Sequence, residues 1–201
     1  MKKIAFFDFD GTITSHDTMI ELAKFHSGTV KFIIGMVALS PWLLGMKLKL
    51  VSKQNAKEKL LSLFFKGLTL FEFQELCNEF IKLRLPSIIR PLAIQTIKQL
   101  QNNNFQVVVV SASADNWVKP WCDSNNIIFI GSCLDVIDNK ITGKLNGPNC
   151  NYDEKVNRIR EKYQLSDFSE IHCYGDTKGD KAMLQLATHS YYKPFRSHIN
   201  S

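Results

Sequence analysis

A doubly wound, mostly parallel α/β sheet carrying an all-helical insertion is the fold predicted by this sequence, on three observations. Short apolar runs suited to strands, Ile4 to Phe7, Val107 to Val110 and Ile171 to Tyr174, lie far apart in the chain. From residue 91 onward such runs alternate with helix-like stretches, the pattern of a parallel sheet covered on both faces. Between residues 15 and 90 only helical periodicity occurs.

The first strand is expected over 3–9, bounded by Gly11. A helix over 17–27 follows from the spacing of Met19, Leu22, Ala23 and His26. A second, over 53–65, gathers Ala56, Leu60, Leu61, Phe64 and Phe65 on one side and stops at Gly67. The third opens with the capping box Thr69 to Glu72 and ends before Pro86. Pro91 starts a helix that Asn102 to Asn104 closes. Phe105 to Val110 has the β-branched character of a strand buried on both faces. A helix near 114–124, a strand at 127–130 and a hairpin over 133–145 turning at Asp138-Asn139 come next. A helix near 153–163, a strand at 170–174, a helix at 180–187 and a short strand near 189–192 complete the order. The division expected is a Rossmann-like core of 1–14 and 91–201 with a helical cap of 15–90.

The apolar stretch Phe32 to Met46 is broken by Ser40-Pro41 and flanked by Lys31, Lys47 and Lys49. As a helix of about 22 Å it falls short of the ~30 Å hydrocarbon core, so a membrane span is not expected. Burial within the cap is the expectation. The alternative is peripheral membrane contact through 30–50, because five lysines between 47 and 59 oppose Glu58 alone.

Composition narrows the function classes. A hydrophobic content of 45% excludes a disordered chain. Of the +6 net charge, residues 15–90 carry +5, from nine Lys and two Arg against six acids, which favours an anionic partner. Nucleic acid is not expected, since Arg-rich helices, zinc spacings and aromatic RNA-binding signatures are missing from the sequence. Five cysteines without metal-ligand spacing predict reduced thiols and a cytoplasmic protein. The apolar run before Asp8 is too short for a signal peptide.

The chemistry-bearing residues stand at the ends of the three apolar runs. Asp8 and Asp10 leave an extended chain on one side, and carboxylates so close take different roles or share a cation. Gly11 lets the backbone approach a phosphate closely, and Thr12 adds a hydroxyl. Ser111 ends the second run, and Ser113 is placed to cap the helix beginning near Ala114. Capping alone would explain both serines; beside Asp8 and Asp10, phosphate contact is favoured for Ser111. Asp176 and Asp180 follow the third run and suit Mg2+, an oxygen-seeking ion. Lys155 opens a helix, where a cation opposes the dipole and so hints at a charge task; Lys178 is the fallback for that role.

The order Asp8-x-Asp10-Gly11-Thr12, Ser111, Lys155, Gly175-Asp176 and Asp180 resembles the haloacid dehalogenase superfamily of phosphatases. The helical insert after the first motif, and Asn149-Cys150 before Glu154-Lys155-Val156, are similar to its phosphoserine-phosphatase-like branch. The resemblance implies a Mg2+-dependent phosphomonoester hydrolase with Asp8 as nucleophile and Asp10 as general acid and base. Mg2+ ligands are then Asp8, Asp176 and the main-chain carbonyl of Asp10, with Asp180 holding a metal-bound water or orienting Lys155. Ser111, Lys155 and the amides near Gly11 and Ala112 are implied to grip the phosphoryl group. Asp17 stands about where the cap glutamate of phosphoserine phosphatases lies. The chain departs from them in having no arginine between 15 and 83, so the substrate carboxylate lacks its fork. The substrate expected is a small phosphorylated metabolite or a lipid phosphate. The alternative is a non-catalytic phosphate-binding, regulatory or membrane-surface protein with the same fold.

Overall fold

A computed structural model describes residues 2–48 and 50–196. Five parallel strands form the central sheet in the order β3-β2-β1-β6-β7. They are β1 (Lys2–Phe7), β2 (Phe105–Ala114), β3 (Ile128–Ser132), β6 (Phe168–Gly175) and β7 (His189–Tyr192), with β4 (Leu134–Ile137) and β5 (Lys140–Leu145) as a separate antiparallel pair. The chain winds from β1 to β2 and β3 on one side, then returns to β6 and β7 on the other. The order therefore reverses at β1, and the crevice of such a sheet opens at its carboxyl edge there.

Alternation along β1 feeds two cores. Ala5 and Phe7 face the cluster with Ala93 and Ile97 of α4 (Pro91–Asn102) and Trp117 of α5 (Asp115–Ser124). Ile4 and Phe6 face the other, with Ile159 of α6 (Asp153–Lys162) and Met183 of α7 (Lys181–Leu184). Helices thus cover both sheet faces, which explains the near-continuous apolar runs.

Between β1 and β2 lie three helices, α1 (Thr18–Lys47), α2 (Lys53–Phe65) and α3 (Leu70–Leu83). The Thr69 capping box forms as expected: Thr69 Oγ1 accepts from the Glu72 amide, and Glu72 accepts from the Thr69 amide. The β4–β5 hairpin, distant in sequence, leans on this layer. Ile141 exchanges main-chain hydrogen bonds with Gly67 and Leu68, so the turn after α2 is stitched to β5.

Several expectations need correcting. The helix expected at 17–27 holds up to the non-helical Gly28 (φ 74°, ψ 162°), but the apolar stretch 32–46 belongs to a longer helical limb that runs on to Lys47 with Pro41 inside. By length and composition α1 is long and apolar enough to cross a membrane, so the length argument against a span does not hold. Nor is the stretch simply buried. Leu39 is buried and Phe32, Met36 and Leu43 pack on the core, whereas Ile33, Ile34 and Val37 face solvent. The first strand stops at Phe7 rather than residue 9, and the helix expected at 180–187 is only Lys181–Leu184 behind a 3-10 turn.

Candidate active site

The chemistry-bearing ends of the three apolar runs meet where the topology brings their strands side by side, β2 and β6 flanking β1. The chain leaves β1 at Phe7, and the Asp8 amide donates to the Tyr174 carbonyl at 2.9 Å, fastening this loop to β6. Gly11 then takes φ 81°, a region that costs glycine little. A Cβ there would lie 2.5 Å from Asp176 Oδ2, so this glycine lets the loop close against the neighbouring carboxylate.

Carboxylate oxygens of Asp8, Asp176 and Asp180 lie within 4.8 Å of one another, and all three residues are buried. Lys155 is also buried; its Nζ donates to Asp8 Oδ1 at 2.5 Å and Asp180 Oδ1 at 2.6 Å. The fallback, Lys178, is exposed and plays no such part. Arg196 donates to Asp176 Oδ2 at 2.9 Å from a half-exposed position. Three carboxylates thus face two cations.

Burial pushes the Asp8 carboxyl up to about 7; Lys155 opposes it, and the Asp180 charge adds to it. Burial likewise raises Asp176, with Asp180 adding to it and Arg196 opposing it. Burial acts upward on Asp180 too, but Lys155 and the Thr177 donors outweigh it and hold its carboxyl below the ordinary range. Lys155 is lowered by burial yet raised overall by Asp8 and Asp180. A small, buried, oxygen-lined cluster with excess negative charge fits a hard divalent cation such as Mg2+. Asp8, Asp176 and Asp180 are the side chains that would hold it.

The Asp10 side chain turns away from this cluster. Its Oδ1 accepts from the amide and hydroxyl of Thr18 at 2.7 and 2.6 Å. Its Oδ2 accepts from Ser113 at 2.5 Å and Ser111 at 3.4 Å. Ser113 therefore does not cap a helix, as the sequence had led us to expect. The N-cap of α5 is Ala114, without a side-chain cap bond. Thr12 also serves otherwise than expected. It is buried, and its hydroxyl lies 3.4 Å from Asp8 Oδ2 and 3.3 Å from Asp176 Oδ1, bracing metal-site carboxylates. The Gly11 amide, expected at the phosphate, donates to Thr14 Oγ1 at 3.3 Å.

A cleft of about 400 Å³ opens over Asp8, Asp10, Ser111, Ala112 and Lys155. Asp17 lies among its walls while still meeting solvent, and its side chain caps α1 by accepting from the Ile20 amide at 3.1 Å. The enclosing protein, and then the Asp10 charge, push the Asp17 carboxyl up to about 6. Opposite the carboxylates the wall is apolar, built from Met19, Ile20, Leu43, Met46, Ala56 and Leu60. Lys57 reaches from α2 into this cleft; it donates to the Ala112 carbonyl and to Asn149 Oδ1. Burial lowers its ammonium, against the pull of Asp10 and Asp17. Sequence reasoning missed Thr18 and Lys57, and met Asn149 only as part of a motif, with no role assigned. The signal for Lys57 was its place among the five lysines between 47 and 59.

The family model for haloacid dehalogenase-like hydrolases matches residues 5–185. The chain belongs to that family. Protein CicA of Caulobacter vibrioides (strain NA1000 / CB15N) is 32% identical over 196 residues, covering 94% of this chain and 85% of that protein. Among solved structures, a protein of unknown function from Bordetella pertussis Tohama I superposes with a TM-score of 0.82 at 18% identity, over 94% of this chain and 89% of that one. A substrate-bound phosphoserine phosphatase gives 0.71 at 20% identity, over 96% and 86%. A phospho-aspartyl intermediate analogue of phosphoserine phosphatase gives 0.69 at 23%, over 94% and 85%. This haloacid dehalogenase-like hydrolase thus shares the fold of phosphoserine phosphatases.

Proposed function

We propose that this hydrolase cleaves phosphate monoesters through a covalent phosphate on Asp8, with Mg2+ bound among the buried carboxylates. The observation that carries the reading is the meeting of Asp8, Asp176, Asp180 and Lys155 in one buried cluster at the open edge of the sheet. Membership of a hydrolase family and a fold shared with phosphoserine phosphatases support it.

In the first step an Asp8 oxygen bonds to phosphorus and the ester P–O bond breaks, with Asp10 giving its proton to the departing oxygen. In the second, Asp10 takes a proton from water, whose oxygen bonds to phosphorus as the Asp8–phosphorus bond breaks. Inorganic phosphate leaves and both carboxyl groups return to their starting states. Lys155, fixed before substrate arrives, presents its remaining N–H, and Ser111 turns its hydroxyl from Asp10, to the phosphoryl oxygens where charge collects. When bound, Mg2+ would add charge neutralisation at those oxygens. Thr18 and Ser113 hold Asp10 in line with the cleft. A purely phosphate-binding protein has no use for a second carboxylate positioned in this way.

The cleft narrows the substrate class. Its lining contains no arginine, and Arg84 donates to Glu21 at 2.7 Å, so an amino-acid carboxylate finds no guanidinium fork. Of a small metabolite and a lipid phosphate, the apolar wall favours a phosphate whose alcohol carries apolar surface. A reducing cytoplasmic setting belongs to the same reading and suits the free cysteines, four of them buried. The direct test is hydrolysis of an aryl phosphate by purified protein. Mg2+-dependent turnover that EDTA silences and Asp8→Asn abolishes is expected. Turnover indifferent to both overturns the reading.

A further inference from the structure

The second half of α1 offers apolar side chains to opposite sides. Toward the protein, Phe32 stacks on Phe64 with ring centroids 5.7 Å apart, Leu39 is buried, and Leu43 and Met46 line the cleft. Away from it, Val30, Ile33, Ile34, Val37, Leu44 and Leu48 are each more than half exposed. At 3.6 residues per turn these six fall within a sector of about 100°, one continuous stripe. Lys31 and Lys47 flank it on opposite sides by the same periodicity, and both are exposed. Trp42 stands at its margin with the Lys59 ammonium 4.6 Å from its ring centroid.

We infer that this stripe is a docking surface for an anionic lipid bilayer, with the helix lying in the interface plane. Charge decides the occupant. Residues 22–57 contain six lysines and no acid, the asymmetry that draws a segment to anionic headgroups. A second copy of the chain is a poor occupant, because its stripe would bring the same flanking lysines against these. Spanning is also disfavoured. The inner face is committed to α2, whose Lys53 and Lys57 would be carried into hydrocarbon with it. Docking would set the cleft about one helix diameter, ~10 Å, below the headgroups, with Leu43 and Met46 on the near wall. Resting on the phosphatase reading above, this makes an amphiphilic phosphate monoester at the membrane surface the substrate class.

The test is flotation of the full chain with phosphatidylcholine vesicles, with and without phosphatidylglycerol, alongside Ile34→Glu and Val37→Glu singly and together. These positions are exposed and outside the cleft, so aryl phosphate turnover serves as the check on folding. Wild-type protein should float with the anionic vesicles and be released by high salt, and the paired substitution should cut flotation at least about tenfold. Asp8→Asn should float like wild type, which separates docking from catalysis. Absence of flotation by active protein, undiminished flotation of the paired variant, resistance to salt and alkaline extraction, or a dimer dissolved by the substitutions without lipid binding would each overturn the inference.

Discussion

Lys155 Nζ lies 2.5 Å from Asp8 Oδ1, and both side chains are buried. This pairing ties the first helical turn of α6 to the loop after β1. It also resolves the cation at a helix start that its own dipole disfavours, since Asp8 and Asp180 more than compensate. Replacing Lys155 with Met leaves both carboxylates without their ammonium. A loss of about 3–5 kcal/mol in unfolding free energy follows for the metal-free protein, with activity lost. Denaturant unfolding with and without Mg2+ checks it, and the deficit should shrink when Mg2+ is present.

Asp10 is held by Thr18, Ser113 and Ser111, and the Trp117 indole donates to the same Thr18 hydroxyl at 3.0 Å. Ser113→Ala should lower kcat by about tenfold to a hundredfold with little change in KM, because Asp10 loses its closest Oδ2 donor. Thr18→Val should additionally destabilise the fold by about 2–4 kcal/mol, as it strips the hydroxyl donor from Asp10 and the acceptor from Trp117 while leaving the amide bond to Asp10. Steady-state kinetics on one aryl phosphate separate the two effects.

Gly11→Ala should damage metal binding before it damages folding. Its Cβ would meet Asp176 Oδ2 at 2.5 Å with φ at 81°, so the loop or the carboxylate must move. The expected readout is a Mg2+-induced rise in Tm that nearly vanishes, while secondary structure by circular dichroism is retained.

The pH dependence of stability should also report on the cation site. Asp8 titrates at about 7 when folded against 3.8 as a free group, so its contribution is fully present below 3.8 and is lost as pH rises through about 7. Asp180 runs the other way, losing its contribution as pH falls through its depressed value, below this window. In EDTA, stability should therefore decline on account of Asp8 from about pH 4 to about pH 7. Mg2+ binds the ionised carboxylates, so its Tm increment should grow over the same range. A flat increment contradicts this picture.

Much of the site was legible because strands buried on both faces read as unbroken apolar runs. Ile4 to Phe7, Val107 to Val110 and Ile171 to Tyr174 announce their own carboxyl ends, where Asp8, Ser111 and Asp176 stand. The capping box at Thr69 and the turn at Asp138-Asn139, where both residues take positive φ, are equally local signals. What stayed hidden depends on long-range contact. Ser113 has the sequence look of a helix cap, and only the approach of the β1 loop turns it toward Asp10. Lys57 is one lysine among several until α2 folds over the Ala112 carbonyl. Gly28, just past the helix expected at 17–27, is non-helical (φ 74°, ψ 162°), yet helix resumes directly beyond it, ahead of the apolar stretch that the sequence marks.

Everything proposed about chemistry rests on Asp8 accepting the phosphoryl group. The most direct measurement is an acid-quenched single turnover with Mg2+ and an aryl phosphate, followed by peptide mass analysis. Phosphate on the peptide containing Asp8, reducible with borohydride to homoserine at that position, is the result expected. Burst release of the phenol with phosphate on another residue, or on none, would contradict it.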